Sequence, residues 1–284
     1  MRILCPTDGS QRAAAAIDKL IASFSAAGVT VDLLAVALDR NASSARAAER
    51  HAQLEAHLAA ERKRLEAAGF GVQVTVRTGH PAEEILAFAE ATGPDLVILG
   101  SRSADGDGHG YSGRVAGNVA RHGHVPVLIA RDGAPIASIV LGYDESPDAD
   151  AALGLVERLP FCAAPSVAVC SSYEVGDTLM PALEAATAPA AGAARLEDLV
   201  EARHASEEIA ADAAARLSGE GLPATGHALH GRASAQLEIL AAELGADLIV
   251  VGSRGLSGAE RFLLGSTSDE LVVSARTSVL VARS

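Results

Sequence analysis

The sequence predicts an α/β protein built as two tandem, open, mostly parallel five-stranded sheets with helices on both faces, a Rossmann-like arrangement. The prediction rests on three features. The chain reads twice, short apolar runs alternate with helical patterns in each reading, and the composition suits tightly packed aliphatic layers.

The repeat comes first because it sets the architecture. Residues 93–100 read GPDLVILG and residues 245–252 read GADLIVVG, an offset of 152. The same offset lays Gly79 on Gly231, Gly113 on Gly265, and VPVLIAR (125–131) on TSVLVAR (277–283). Near the starts the offset is 136, where RILCPTDGS (2–10) lies over SIVLGYDES (138–146) and Asp8 falls on Asp144. The second copy therefore carries an insertion, for which the Ala/Pro-rich stretch 181–194 is the obvious place. The copies are expected at 1–131 and 138–284, joined through Asp132-Gly133-Ala134-Pro135, whose Gly and Pro punctuate a short linker.

Within the first copy, apolar runs at 2–6, 31–38, 72–76, 95–99 and 125–130 read as strands. Helical patterns at about 11–27, 45–68, 81–92 and 114–122 lie between them. The second copy repeats the scheme, with strands near 138–142, 166–171, 225–229, 247–251 and 278–282. Strands alternating with helices of this length give βαβ units and a parallel sheet. DLVILG and DLIVVG are near-continuous apolar runs, as expected of strands covered on both faces. The two C-terminal strands are short and apolar, and an edge strand seeks a partner, so the copies are expected to pair through them as an intrachain pseudo-dimer. Further homodimerisation of the whole chain stays open.

Length and composition agree. The chain has 284 residues, enough for two domains of about 150. Hydrophobic residues make up 49% and aromatics only 3%, with no Trp, which argues against aromatic stacking platforms for bases. The net charge of −13 is uneven: residues 1–131 carry 14 basic and 14 acidic side chains, residues 132–284 carry 9 and 22. That balance argues against nucleic-acid and anionic-membrane partners. Cys5, Cys162 and Cys170 have no metal-ligand spacing and are expected as reduced, buried thiols of a cytoplasmic protein. The N-terminus lacks the apolar run and cleavage site of a signal peptide, and no run approaches the roughly 18 apolar residues of a membrane span.

Ligands of open α/β sheets bind beyond the carboxyl ends of the strands. There the second copy reads GSRGLSGAERFLLGSTSDEL, with Gly252, Gly255, Gly265 and Ser266 in the spacing G-x2-G-x9-G-S. Glycines let backbone N–H groups approach an anion, and the helix opening at Ser266-Thr267-Ser268 offers unpaired N–H donors. Ser266 with Asp269, or Thr267 with Glu270, is spaced as a capping box. The same glycines also suit a plain crossover loop.

The strand-DxS turn, Gly79-His80-Pro81-Ala82-Glu83-Glu84-Ile85, DLIVVGSRGLSG and the G-x2-G-x9-G-S loop together resemble the universal stress protein family, over nearly the whole chain and as a tandem member. In the ATP-binding branch of that family this loop holds the phosphates. The resemblance thus implies Gly252, Gly255, Gly265 and Ser266 for phosphate, Asp144 for the nucleoside, and Ser172, ending the second strand, beside it. It implies ATP as ligand. The charge that ATP brings into an acidic half-chain calls for Mg or Mn with it. The first copy departs from the pattern: Gly100 and Gly113 remain, but Ser103 and Arg114 replace the second glycine and the hydroxyl. That loop reads as degenerate, or as one where Arg114 supplies a fixed charge.

Three functions follow. One is an ATP-binding stress-response regulator using the second copy. Another is a nucleotide-independent scaffold or interaction protein, with a protein partner that the sequence does not identify. The third is an enzyme that spends ATP, at most a slow ATPase, since no G-x4-G-K-[ST] occurs; the expectation is a non-enzyme. Other motifs read as structural. Asp105-Gly106-Asp107-Gly108-His109 lacks calcium-loop spacing, and His122-x-His124 lacks a third ligand. Acidic residues between Glu197 and Asp212 read as a solvated helix face, and Asp8-Gly9-Ser10 reads as a turn capping the first helix.

Overall fold

The computed structural model describes residues 1–37, 45–101, 111–174, 189–255 and 264–284. Ser103, the Asp105–His109 motif and residues 181–188 of the expected insertion lie outside the described residues. The first copy runs β1 (Arg2–Thr7), α1 (Gln11–Ser23), β2 (Thr30–Ala37), α2 (Ala45–Ala67), β3 (Gly71–Thr78), α3 (Pro81–Thr92), β4 (Leu96–Gly100), α4 (Tyr111–His122) and β5 (Val127–Ala130). The second runs β6 (Ser138–Gly142), α5 (Pro147–Arg158), β7 (Ser166–Tyr173), α6 (Pro189–Gly219), β8 (Ala224–His230), α7 (Ala233–Leu244), β9 (Leu248–Gly252), α8 (Ser266–Ser274) and β10 (Ser278–Ala282).

The α/β class, the parallel strands and the two-sided helical cover are as the sequence predicts, but the number of sheets is not. The strands form one ten-stranded sheet in the order β3-β2-β1-β4-β5-β10-β9-β6-β7-β8. Pairing is parallel within each copy. Among the described strands, β5 with β10 is the one antiparallel pair, Leu128 facing Leu280. Each strand would otherwise be an apolar edge with unpaired backbone groups, and each removes the other's exposure. Two five-stranded halves thereby become one sheet.

The core follows the same logic. One buried layer gathers Ile17 and Leu20 of α1, Leu65 of α2, Leu153 of α5 and Leu217 of α6 against Ile3, Leu33, Leu141 and Leu280. The other gathers Ile85, Val119, Leu237 and Leu271, from α3, α4, α7 and α8, against Leu4, Val97, Val140 and Ile249. Both layers run across both copies.

Helix starts are chemically defined. Ser10 caps α1 by accepting from Ala13 N–H, and Ser146 caps α5 by accepting from Ala149 N–H, with Pro147 at the first helical position. Asp8-Gly9-Ser10 is thus the expected turn. The first helix stops at Ser23, not near 27, because the next residues pair with the other copy. Ser25 N–H donates to Pro160 O (2.7 Å), Cys162 N–H donates to Ser23 O (2.8 Å), and the Phe24 and Phe161 rings stack at 5.5 Å. Strand β5 starts at Val127, after Pro126, which has no N–H to give a ladder. Cys5 and Cys170 are buried free thiols as expected, but Cys162 lies on the crossing segment and is exposed.

Side chains lock the copies together. Lys19, fully buried on α1, donates to Ala134 O (2.9 Å) and pairs with Asp132 (3.0 Å), fixing the linker. Arg121 of α4 pairs with Asp269 of α8 at 2.6 Å. Arg283, past β10, donates to the carbonyls of Ala120 and Arg121 at the end of α4. Reciprocally, Arg131 past β5 donates to Val272 O of α8 (2.7 Å).

Candidate functional site

The second copy's strand ends are organised around a close helix contact. A Cβ on Gly252 would sit 2.6 Å from Asp148 C and 2.8 Å from Ala149 N, so the first turn of α5 lies directly on the end of β9. Gly100 makes the same approach to Arg12 and Ala13 of α1. The glycine at this position is therefore demanded by helix–strand packing, a reason different from the anion approach read in the sequence.

That contact buries Asp148, which is 3% exposed. Its carboxylate accepts from Ser253 Oγ–H (2.5 Å), Arg254 Nε–H (3.2 Å) and Ser284 N–H (3.2 Å). Burial alone would raise its pKa, but hydrogen bonds from Ser253, Ser284 and Arg254 outweigh burial and hold it below the ordinary value. Asp148 thereby ties together the end of β9, the following loop and the end of β10.

Asp144 sits one turn earlier. Its Oδ1 accepts from Ser146 N–H at 3.1 Å, an Asx turn, with Glu145 held at φ 60°. A Cβ on Gly255 would lie 2.6 Å from Asp144 Oδ2, so a side chain there would push the carboxylate away from the loop. Gly265 N–H donates to Ser253 O (2.7 Å), folding the far end of the loop back onto its start.

Gly265 is also the N-cap of α8 and no side chain caps this helix. The expected capping box is absent. Asp269 is drawn to Arg121, while Glu270 accepts from Arg232 (2.7 Å) and Ser234 Oγ–H (2.6 Å). Ser266 is the first helical residue, and Ser268 Oγ–H donates to Ser253 O (2.8 Å). Both acidic side chains are committed elsewhere, and the first turn of α8, Ser266 to Ser268, lines the cavity with no side chain capping its N–H groups.

Asp144, Ser172, Gly252, Gly255, Gly265 and Ser266 all line one cavity of about 340 Å³ over the carboxyl ends of β6, β7 and β9. The structure brings together every site residue named from the sequence. It adds Arg254, Tyr143 and Leu237. Arg254 stood inside the quoted loop and its charge was a signal; Leu237 and Tyr143 carried none. Tyr143 is pushed up to about 12 by burial and by its bond to Asp150 (2.7 Å), so it remains a hydrogen-bonding phenol. Burial pushes the Cys170 thiol, also on the cavity wall, to about 12.

The first copy differs. Gly113, opposite Gly265 in the repeat, lies inside α4 and does not precede it. Arg114 is exposed. A cavity of about 160 Å³ lies over these strand ends, and Asp8 and Gly100 line it. Among the described residues no three His, Cys, Asp or Glu side chains form a metal-holding group. His122 Nδ1 lies 2.9 Å from Asn118 O. The acidic side chains Glu197, Asp198, Glu201, Glu208 and Asp212 of α6 are exposed as read. Among the described residues no helix is long and apolar enough to cross a membrane.

A doubly wound sheet made of two like halves, with a ligand-sized cavity over its strand ends, defines a tandem α/β protein of the strand-end binding type. The sequence profile of the Universal stress protein family matches residues 1–131 and again residues 136–283, and the chain belongs to that family as a tandem member. It is 34% identical over 101 residues to universal stress protein G of Shigella flexneri, covering 34% of this chain and 68% of that protein. A universal stress protein of Methanocaldococcus jannaschii is 36% identical over 70 residues, covering 25% of this chain and 43% of its own length. The match thus spans less than half of that relative. The crystal structure of a universal stress protein from Archaeoglobus fulgidus DSM 4304 shares the fold over 99% of this chain and 98% of its own, with a TM-score of 0.70 at 23% identity.

Proposed function

We propose that this chain is a cytoplasmic stress-response regulator that binds one ATP, together with Mg or Mn, in the cavity of its second copy. One observation carries the reading. Asp144, Ser172 and the two described ends of the loop, Gly252 to Gly255 and Gly265 to Ser266, are far apart in sequence, yet they meet in one cavity at a helix N-terminus that no side chain caps. In this reading Gly255, Gly265 and Ser266 surround the phosphates, with the N–H groups of α8 donating to them. Gly252 seats α5 beside them. Asp144 and Ser172 face the nucleoside, and Arg254 adds positive charge on the same wall. The second half of the chain is strongly acidic, so a divalent cation would relieve the repulsion. Among the described residues no group of His, Cys, Asp or Glu side chains could cage the ion, so phosphate oxygens and water would supply most of its donors, with the Ser266 hydroxyl beside them. The proposal is of binding without turnover.

Titration calorimetry with ATP tests it. Wild type should take up one nucleotide per chain, with weaker binding under chelator. Gly265→Val should abolish uptake. Ser266→Ala should cost about tenfold, one hydroxyl bond, because Ser266 is not the helix cap. Asp144→Ala should weaken ATP but not inorganic triphosphate. A stoichiometry of two, or loss from Arg114→Ala with Gly265→Val unaffected, would place the site in the other copy. No uptake at all would favour the nucleotide-independent scaffold, and steady phosphate release would favour an ATPase.

A further inference from the structure

The cavity of the first copy is not a smaller version of the second. The repeat offsets pair their walls position by position. Ser172 becomes Val36, Cys170 becomes Leu34, Thr267 becomes Val115 and Ser268 becomes Ala116, while Leu237 and Val251 become Ile85 and Leu99. Hydroxyls are thus exchanged for hydrocarbon along one continuous wall.

The backbone changes in the same direction. Helix α8 opens at Ser266, so the N–H groups of Ser266 to Ser268 belong to its first turn. Helix α4 opens at Tyr111, three residues earlier in the repeat. Val115 and Ala116 therefore fall in its second turn, where each N–H bonds to the carbonyl four residues before it. The lining positions that lie in an uncapped first turn in the second copy thus lie in the first copy where backbone N–H groups are bonded within the helix. Neither Arg12 nor Arg114 lines the cavity.

Among the described residues that line this cavity, the polar side chains are those of Thr7, Asp8 and Ser10. Asp8 Oδ1 accepts from Ser10 N–H at 3.0 Å, leaving Oδ2 as an acceptor. The Thr7 hydroxyl lies 3.2 Å from Nε2 of His57 and accepts from Gly9 N–H (3.3 Å). Among the described residues, an anion entering here would meet the Asp8 carboxylate and a mostly hydrocarbon wall with no cationic side chain, losing hydration that the Thr7 and Ser10 hydroxyls alone would not replace.

We propose that the first copy holds a separate site for a small uncharged molecule with an apolar, ring-sized body and a hydrogen-bond-donating head, the body between Val36, Ile85 and Val115 and the head at Asp8. The size agrees: an apolar cavity of about 150 Å³ accepts benzene, and this one is about 160 Å³. The site does not depend on what the second copy binds.

Methyl NMR of the full chain with benzyl alcohol as probe, and benzoate as its anionic counterpart, tests the proposal. Benzyl alcohol should shift the methyl signals of Leu34, Val36, Ile85, Leu99 and Val115 saturably and leave those of Leu237 and Val251 in place. Benzoate should bind at least about tenfold more weakly. Val36→Phe fills the slot and should remove the response, while unchanged Leu237 and Val251 signals report an intact fold. Asp8→Ala should weaken benzyl alcohol severalfold. Equal binding of benzoate, shifts shared by both cavities, no saturable shift, or an unchanged response in Val36→Phe would each overturn it. ATP uptake by the second copy is a separate readout, so either site can fail alone.

Discussion

At Gly252 the missing side chain faces the backbone of α5, whereas at Gly265 a Cβ would meet Arg254 Cα at 3.4 Å, an ordinary contact. The two glycines of one motif therefore do different work, and substitution separates them. Gly252→Ala forces α5 away from β9 and should cost about 1–3 kcal/mol; Gly100→Ala, with the tighter approach, should cost at least as much. Gly265→Ala should cost less in urea unfolding, at most about 1 kcal/mol from a poorer N-cap, and act mainly on ligand affinity. Equal stability losses at positions 252 and 265 would refute this division. The motif was legible in the sequence, but its division was not, because a string of residues does not show what packs against an absent Cβ. Glu145 is similar: its left-handed backbone matches Gly9 of the first copy, also at positive φ, but glutamate gives no hint of that conformation.

Among the elements, α5 shows how one buried carboxylate organises a site. Asp148 holds Ser253, Arg254 and Ser284 at once, and its folded pKa lies below the unfolded value. Its stabilisation is therefore complete above about pH 4, the ordinary carboxylate range, and is lost as pH falls through the lower folded value. Asp148→Asn should lower stability at pH 7 by about 1–3 kcal/mol. Urea midpoints of wild type and variant should converge as the solution is acidified below pH 4 or so. A gap independent of pH would mean that the charge is not what the network uses. Elements of this copy were largely readable, since apolar runs and Gly/Pro punctuation bracket most strands and helices. The capping box on α8 was not: Asp269 and Glu270 have the right spacing, but Arg121 and Arg232 claim them, and Arg121 comes from the other copy. Local spacing carries no information about a competing partner 148 residues away.

For the whole molecule, the copies are held together by the antiparallel pair β5·β10, by the reciprocal arginines Arg131 and Arg283 on the ends of α8 and α4, and by the Arg121–Asp269 pair and the Phe24–Phe161 crossing. Chains 1–135 and 136–284 produced separately should associate one to one on mixing, since each alone exposes an apolar edge strand. Elution as two non-interacting species in size-exclusion chromatography would refute that arrangement. The pairing of these strands was legible from their short apolar character, but the fusion of two sheets into one was not. Only the register of Leu128 on Leu280 shows the ladder passing through the joint without a break. The reversal of strand direction at that joint has a spatial consequence. All strands before it point their carboxyl ends one way, and all strands after it point them the opposite way. The two cavities consequently open on opposite rims of the sheet. A macromolecule broad enough to cover one mouth leaves the other in free solvent, and two bound molecules never meet. If both cavities bind as proposed, each end of the sheet would be addressable while the other is occupied, with the β5·β10 joint lying between them.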